Sequence, residues 1–432
     1  MIHLFDRKRL QANISYFTTT FFVALFYCVT YYTVYLLLDL NVFRGIPGLF
    51  SPDSAGYHVF ALRIVNENFS KEIIDTTITD HYHPIFLAIQ MYVFGSHPLI
   101  TKIYQVLLFS IGVTLWTRIA RDVLQEKIAV KYFFYLLLFC IPLLTYNAHV
   151  LKEISLFLAT SISFYGFTRY YYKQGKKSKY LWITLMGIIL MFLFRREFAL
   201  VMFLSFVFAF LLGSGLSFQK KAIWMVVSAL FYVVISNLPI FQQIGALDPM
   251  TEGGRVFVAR GESSRVAADI EGDTGGMIGS ARFLFTNPTV AFPMFIYGIS
   301  QLFFHPPFLY TPSEMIARGN ISYLAMGYYN AIFVLLLPAF YFGARQLYRE
   351  KKGNSVLIAF LLYFIFASLG AIFGSDSYRR FKVSYFWPIA YIYISYGIVT
   401  YPLWKKKLPL VALVFIALFF MYFAFDFIGL VS

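Results

Sequence analysis

The sequence predicts an all-α polytopic membrane protein. Two compositional facts point there: 59% of its 432 residues are hydrophobic and only 13% are charged, where a soluble domain carries about 25% charged residues. The third observation is that apolar runs of roughly 20 residues recur along the chain, the length that crosses a hydrocarbon core about 30 Å thick. Lipid offers the backbone no hydrogen-bond partner, so each run must satisfy its own amides and carbonyls as a helix.

The N-terminal MIHLFDRKRL is short and basic, and the apolar run after it is too long for a signal-peptide core and lacks a small-residue cleavage site, so it reads as a retained first helix. Spans are expected at about 14–40, 99–120, 130–148, 150–171, 180–195, 197–214, 222–240, 327–347, 354–374, 383–402 and 408–428, about eleven in all. They form a single transmembrane domain over 1–432, with one external loop at 41–98 and a long one at 241–326. Pro84–Gly95, PIFLAIQMYVFG, is too short to span. Residues 283–310 are interrupted by Pro288, Pro293, Pro306 and Pro307. Both are expected to lie as re-entrant or interfacial external helices. Cys28 and Cys140 fall inside apolar runs and propose neither a disulfide nor a thiolate metal site.

Charge placement supports this topology. With the N-terminus inside, the cytoplasmic segments receive Asp6 to Arg9, Arg118 to Lys131, Arg169 to Lys179, Lys220-Lys221, Arg345 to Lys352 and Lys405 to Lys407, which hold 21 of the 36 Lys and Arg but only four of the 21 acids. The formal +15 is thus a topology signal. No long basic segment interleaved with aromatics suggests nucleic acid as a partner. The same count puts the C-terminus outside, along with six of the seven histidines.

The external side also holds charges that break the basic-inside trend: Lys152-Glu153, Arg195-Arg196-Glu197 and Asp376-Ser-Tyr-Arg379-Arg380. Each single pair is readable as a local salt bridge at a helix end. Three clusters on one face favour a shared site. The polar stretch Pro52–Pro84 faces them. Within it Asp53 to Asn66 is helical in pattern, with Tyr57, Phe60, Ala61, Ile64 and Val65 on one side and Ser54 and His58 elsewhere. Asp53 stands at the helix start, where it is either an N-cap or a functional carboxylate, and spacing leaves both open. His81-Tyr82-His83 places two imidazoles on one side of an extended segment, chemistry that with Asp53 or Glu153 suits a divalent cation. No metal motif such as His-Glu-x-x-His accompanies them, and no metal or other cofactor is assigned.

Here the chain resembles the GT-C superfamily of integral membrane glycosyltransferases. The resemblance rests on a first helix followed by Asp53-Ser54-Ala55-Gly56-Tyr57, on His83-Pro84 leading a short apolar helix to Phe94-Gly95, and on a later acid, Glu153, at a helix start. It covers about residues 14–215, and beyond them only Tyr378-Arg379-Arg380. Ser54 stands where many relatives have a second acid, and Ile85 where many have a second proline. The resemblance implies sugar transfer from a polyprenyl-phosphate or polyprenyl-diphosphate carrier to a glycan or lipid acceptor on the external face of a bacterial inner membrane. It maps the acceptor-activating carboxylate to Asp53.

Such a transfer needs a carboxylate to take the acceptor proton and cations to neutralise the departing phosphate. Asp53 and Glu153 are the candidate catalytic acids. Arg195, Arg196, Arg379 and Arg380 are candidates for the phosphate, because guanidinium binds phosphate oxygens bidentately. Lys152 supplies a point charge, and Tyr57, His81, His83 and Glu197 complete the candidate substrate-binding set. Lys152-Glu153 also resembles a pattern in polysaccharide polymerases, so a polymerase of lipid-linked repeat units is the nearest alternative. A lipid or glycan flippase would show midplane charges and an internal repeat, and neither is visible.

Overall fold

The computed structural model describes residues 2–37, 52–77, 82–149, 151–172, 178–213, 321–373 and 385–401, with isolated positions elsewhere. Among the described residues every element is a helix and there is no strand. In chain order these are α1 (Ile2–Leu37), α2 (Pro52–Asn66), α3 (Lys71–Thr77), α4 (His83–Phe94), α5 (Pro98–Leu124), α6 (Lys127–Leu138), α7 (Ile141–Ala148), α8 (Glu153–Tyr172), α9 (Ser178–Phe194), α10 (Arg196–Gly213), α11 (Ile321–Glu350), α12 (Ser355–Phe373) and α13 (Trp387–Thr400). The expected spans at 222–240 and 408–428, and nearly all of the loop at 241–326, lie outside the described residues apart from isolated positions.

The protein is membrane-embedded. Gln11–Leu37 of α1 and all of α5 are long and apolar enough to cross a bilayer, while α4, α9 and stretches of α10 and α12 are apolar but shorter. The expected span at 130–148 is two helices, α6 and α7, bent by 43°. Pro142 supplies the cause: it has no N–H for the carbonyl four residues back, and its ring clashes there. The Cys140 amide accordingly tightens onto Leu137 O, three residues back, at 3.3 Å.

The helix ends follow from local chemistry. Proline stands in the first turn of α4, α5, α7 and α13, where its missing N–H costs nothing. His97 Nδ1 accepts from Leu99 N–H at 3.2 Å to start α5. Glu126 Oε1 accepts from Ile128 N–H at 3.2 Å to start α6. Gly95, at φ +98°, closes α4 by donating to Met91 O at 2.8 Å.

Two compact units are present. The first comprises Met1–Arg195, Pro306–Leu347 and Val383–Ser432. In it α5 and α8 interlock through rings, Phe109 with Phe157 at 5.7 Å and Trp116 with Phe164 at 5.4 Å. The α8 and α9 backbones approach closely at Gly187, where any Cβ would lie 2.5 Å from Ser163 N. Among apolar helices in lipid, whose tails are as apolar as the side chains, close van der Waals contact and not water expulsion holds neighbours together. The α2 and α4 helices pack through Ala55, Ala61, Ile64, Leu87, Ala88 and Met91. The second unit comprises Arg196–His305 and Tyr348–Lys382, and within it α10 packs on α12.

The first unit has two chemically different ends. At one, Arg169 pairs with Asp122 at 2.9 Å, Arg121 donates to Asn13 at 2.9 Å, and Arg118 lies over the Tyr165 ring at 5.9 Å. At the other, α5 and α8 begin and α7 and α9 end. That second end carries the candidate site.

Candidate functional site

The α8 helix starts at Glu153, with Lys152 O accepting the first helical bond from Leu156 N–H at 2.9 Å. Glu153 is 1% exposed, and neither of its carboxylate oxygens has a hydrogen-bond partner among the described residues. Its place in the first turn is favourable, because unpaired N–H groups make a helix N-terminus partially positive. Full burial of a carboxylate is otherwise costly unless something donates to it. The arrangement therefore presents a strong acceptor to any hydroxyl or ammonium that enters.

Lys152, half-buried, stands beside His83. Burial first, and the Lys152 charge second, push the His83 imidazole down to about 3, so it is neutral at physiological pH. His83 is the first residue of α4 and is buried. Its ring meets Tyr57 at 5.0 Å and Phe194 at 6.1 Å. Tyr82 N–H donates to Leu193 O at 3.0 Å, which ties the start of α4 to the end of α9. Arg195 follows directly, half-buried between α9 and α10, with its N–H on Met191 O at 2.6 Å.

Several expected placements are adjusted. The α2 helix begins at Pro52, so Asp53 lies within its first turn and not at the cap. It remains at a helix start, one turn before Tyr57. The buried face of α2 runs through Ser54, Ala55, His58, Ala61 and Ile64, whereas Phe60 is 45% exposed. The extended segment expected at 81–83 gives way at Tyr82 to a turn and at His83 to helix. Arg196 and Glu197 open α10 in the second unit. His81, Arg379 and Arg380 lie outside the described residues. Tyr57, His83, Lys152, Glu153 and Arg195 thus belong to the first unit, and Tyr57, His83 and Lys152 are brought together there. Among the described residues no three His, Cys, Asp or Glu converge as a metal site.

Lys102 and Gln105 of α5 are polar residues that the reading of the sequence passed over. Both are buried at this end, 2% and 1% exposed. The available signal was a lysine inside an expected span, which is itself uncommon and informative.

Comparison with known proteins agrees with this architecture. The chain superposes on the archaeal oligosaccharyltransferase AglB from Archaeoglobus fulgidus, solved in complex with an inhibitory peptide and a dolichol-phosphate, with a TM-score of 0.50 over 97% of this chain at 14% identity. The fold is GT-C. The chain spans 56% of the length of AglB. No protein-family model and no curated protein matches the chain in sequence.

Proposed function

We propose that the chain is a glycosyltransferase of GT-C type that moves a sugar from a polyprenyl-phosphate or polyprenyl-diphosphate carrier to a glycan or lipid acceptor in cell-surface glycan assembly. The observation that carries this reading is Glu153, a buried carboxylate that follows Lys152 and has no hydrogen-bond partner among the described residues. AglB is solved with a dolichol-phosphate and an inhibitory peptide bound, which supports a carrier phosphate and an acceptor here. The arginine-rich opposite end supports an orientation with that end cytoplasmic and the site on the external face of a bacterial inner membrane.

The chemistry asks for two functions. A carboxylate, Asp53 with Glu153 as the second acid, takes the proton of an acceptor hydroxyl. The acceptor oxygen then bonds to the anomeric carbon while the carbon–oxygen bond to the carrier phosphate breaks, its electron pair leaving with the phosphate. Lys152 and Arg195 offset the charge that develops, and Arg196, Arg379 and Arg380 are further candidates from the sequence. Tyr57 and His83 would contact the sugar or the acceptor, and His81 and Glu197 are further candidates from the sequence.

The test is turnover by the purified chain in lipid nanodiscs supplied with polyprenyl-linked sugars, with products read by mass spectrometry. The reading expects carrier phosphate released with one sugar added per acceptor, and loss of both with Asp53→Asn. A ladder of repeat units would point to the polymerase alternative. Carrier consumption that Asp53→Asn leaves unchanged would sink the assignment of Asp53.

A further inference from the structure

Lys102 sits in the second turn of α5, almost wholly buried. An ammonium there is costly unless oxygen dipoles receive it. Its Nζ donates to Ala148 O, the last residue of α7, where the unpaired carbonyls of a helix C-terminus carry partial negative charge. Three residues along α5, Gln105 Nε2 donates to Leu151 O at 3.3 Å. Between these points, His149 Nε2 hydrogen-bonds the Tyr31 hydroxyl of α1 at 3.0 Å, and Tyr31 in turn donates to the Tyr35 hydroxyl at 3.0 Å.

The connection from α7 to α8 is therefore held at Ala148, His149 and Leu151 by side chains from two other helices. Its next two residues are Lys152 and Glu153. The three contacts fix backbone and ring, and none of them uses the Glu153 carboxylate, whose oxygens have no hydrogen-bond partner among the described residues. A catalytic group must be held within a fraction of an ångström by neighbours that do not consume its own bonding capacity.

We infer that Lys102 and Gln105 are positioning residues, which clamp the entry to α8 and so set where Glu153 and Lys152 stand. The inference rests on the proposed function for its catalytic consequence, but the clamp itself is measurable without turnover. The measurement is hydrogen–deuterium exchange of the full chain in nanodiscs, comparing wild type with Lys102→Met and with Gln105→Leu. Each variant removes one donor to the connection and should speed exchange of the amides at 151–156 by about tenfold, the effect of one lost hydrogen bond, with α12 unchanged. Wild-type exchange at 151–156 in both variants, or equal acceleration in α12, overturns the clamp.

Turnover then separates the two layers. Lys102→Met should lower kcat about tenfold with the KM for the carrier held, the pattern of a misplaced reacting group. If Glu153→Gln abolishes transfer while Lys102→Met and Gln105→Leu both retain full kcat, the positioning role fails and the proposed function stands. If Glu153→Gln is fully active, the proposed role of Glu153 fails and only the exchange experiment bears on the clamp.

Discussion

Tyr57 of α2 and His83 of α4 meet edge to face, with ring centroids 5.0 Å apart at 79°. The contact joins the helix that starts beside Asp53 to the helix that reaches the Lys152 side of the site. A neutral imidazole suits that place, because a charged one would add a second cation beside Lys152.

A pH dependence of stability follows. The unfolded chain binds a proton at His83 below about 6.5, whereas the folded chain does so only at about 3. Across that window the unfolded state holds more protons, so the His83 contribution is fully favourable above 6.5 and is lost as the pH falls, by about 1.4 kcal/mol per pH unit. Thermal unfolding in detergent between pH 7 and 5 should show this slope in wild type and a flatter one in His83→Phe. Equal slopes would contradict the burial of a neutral imidazole.

A second prediction concerns the crossing of α11 and α13. A Cβ at Gly343 would lie 1.9 Å from Tyr393 O, and one at Gly397 would lie 2.0 Å from Ala339 O. Neither obstacle is a flexible side chain. Alanine at either position should destabilise by about 1–3 kcal/mol or more, read as a lowered melting temperature. Gly56 is the contrast: it is in α2 with nothing within 4 Å of its would-be Cβ. Gly56→Ala should raise stability by about 0.5–1 kcal/mol.

In the second unit, Asn354 Oδ1 accepts from Val356 N–H at 2.9 Å and Leu357 N–H at 3.3 Å, capping α12. Asn354→Ala leaves both amides without that acceptor and should cost about 1 kcal/mol. Asn354→Asp, which keeps the oxygen, should cost little. A comparable loss in both variants would argue against capping as the cause.

The helical class and the positions of α1, α5, α8, α9, α10, α11, α12 and α13 were legible because apolar length and charge spacing answer directly to bilayer thickness. The division into α6 and α7 was legible only through Pro142, since composition alone reads 130–148 as continuous. The buried face of α2 was obscured for a different reason. Size would make Phe60 the mark of the core, but it is 45% exposed, and the face that packs is the one with small residues, Ala55 and Ala61, able to approach α4. Glu153 and Lys152 announced themselves by interrupting an apolar run. The partners that hold them did not, because the pairing of Lys102 with Ala148 and Gln105 with Leu151 joins residues 46 apart in sequence, and nothing local encodes it.

The central claim is that Glu153 takes part in transfer from a lipid-phosphate carrier. The most direct measurement is the rate of carrier phosphate release by the purified chain in nanodiscs, with a polyprenyl-phosphate sugar and an acceptor, for wild type and Glu153→Gln at matched folded fraction. The account predicts transfer by wild type and a loss of at least about a hundredfold in Glu153→Gln. Wild-type turnover in Glu153→Gln would contradict it.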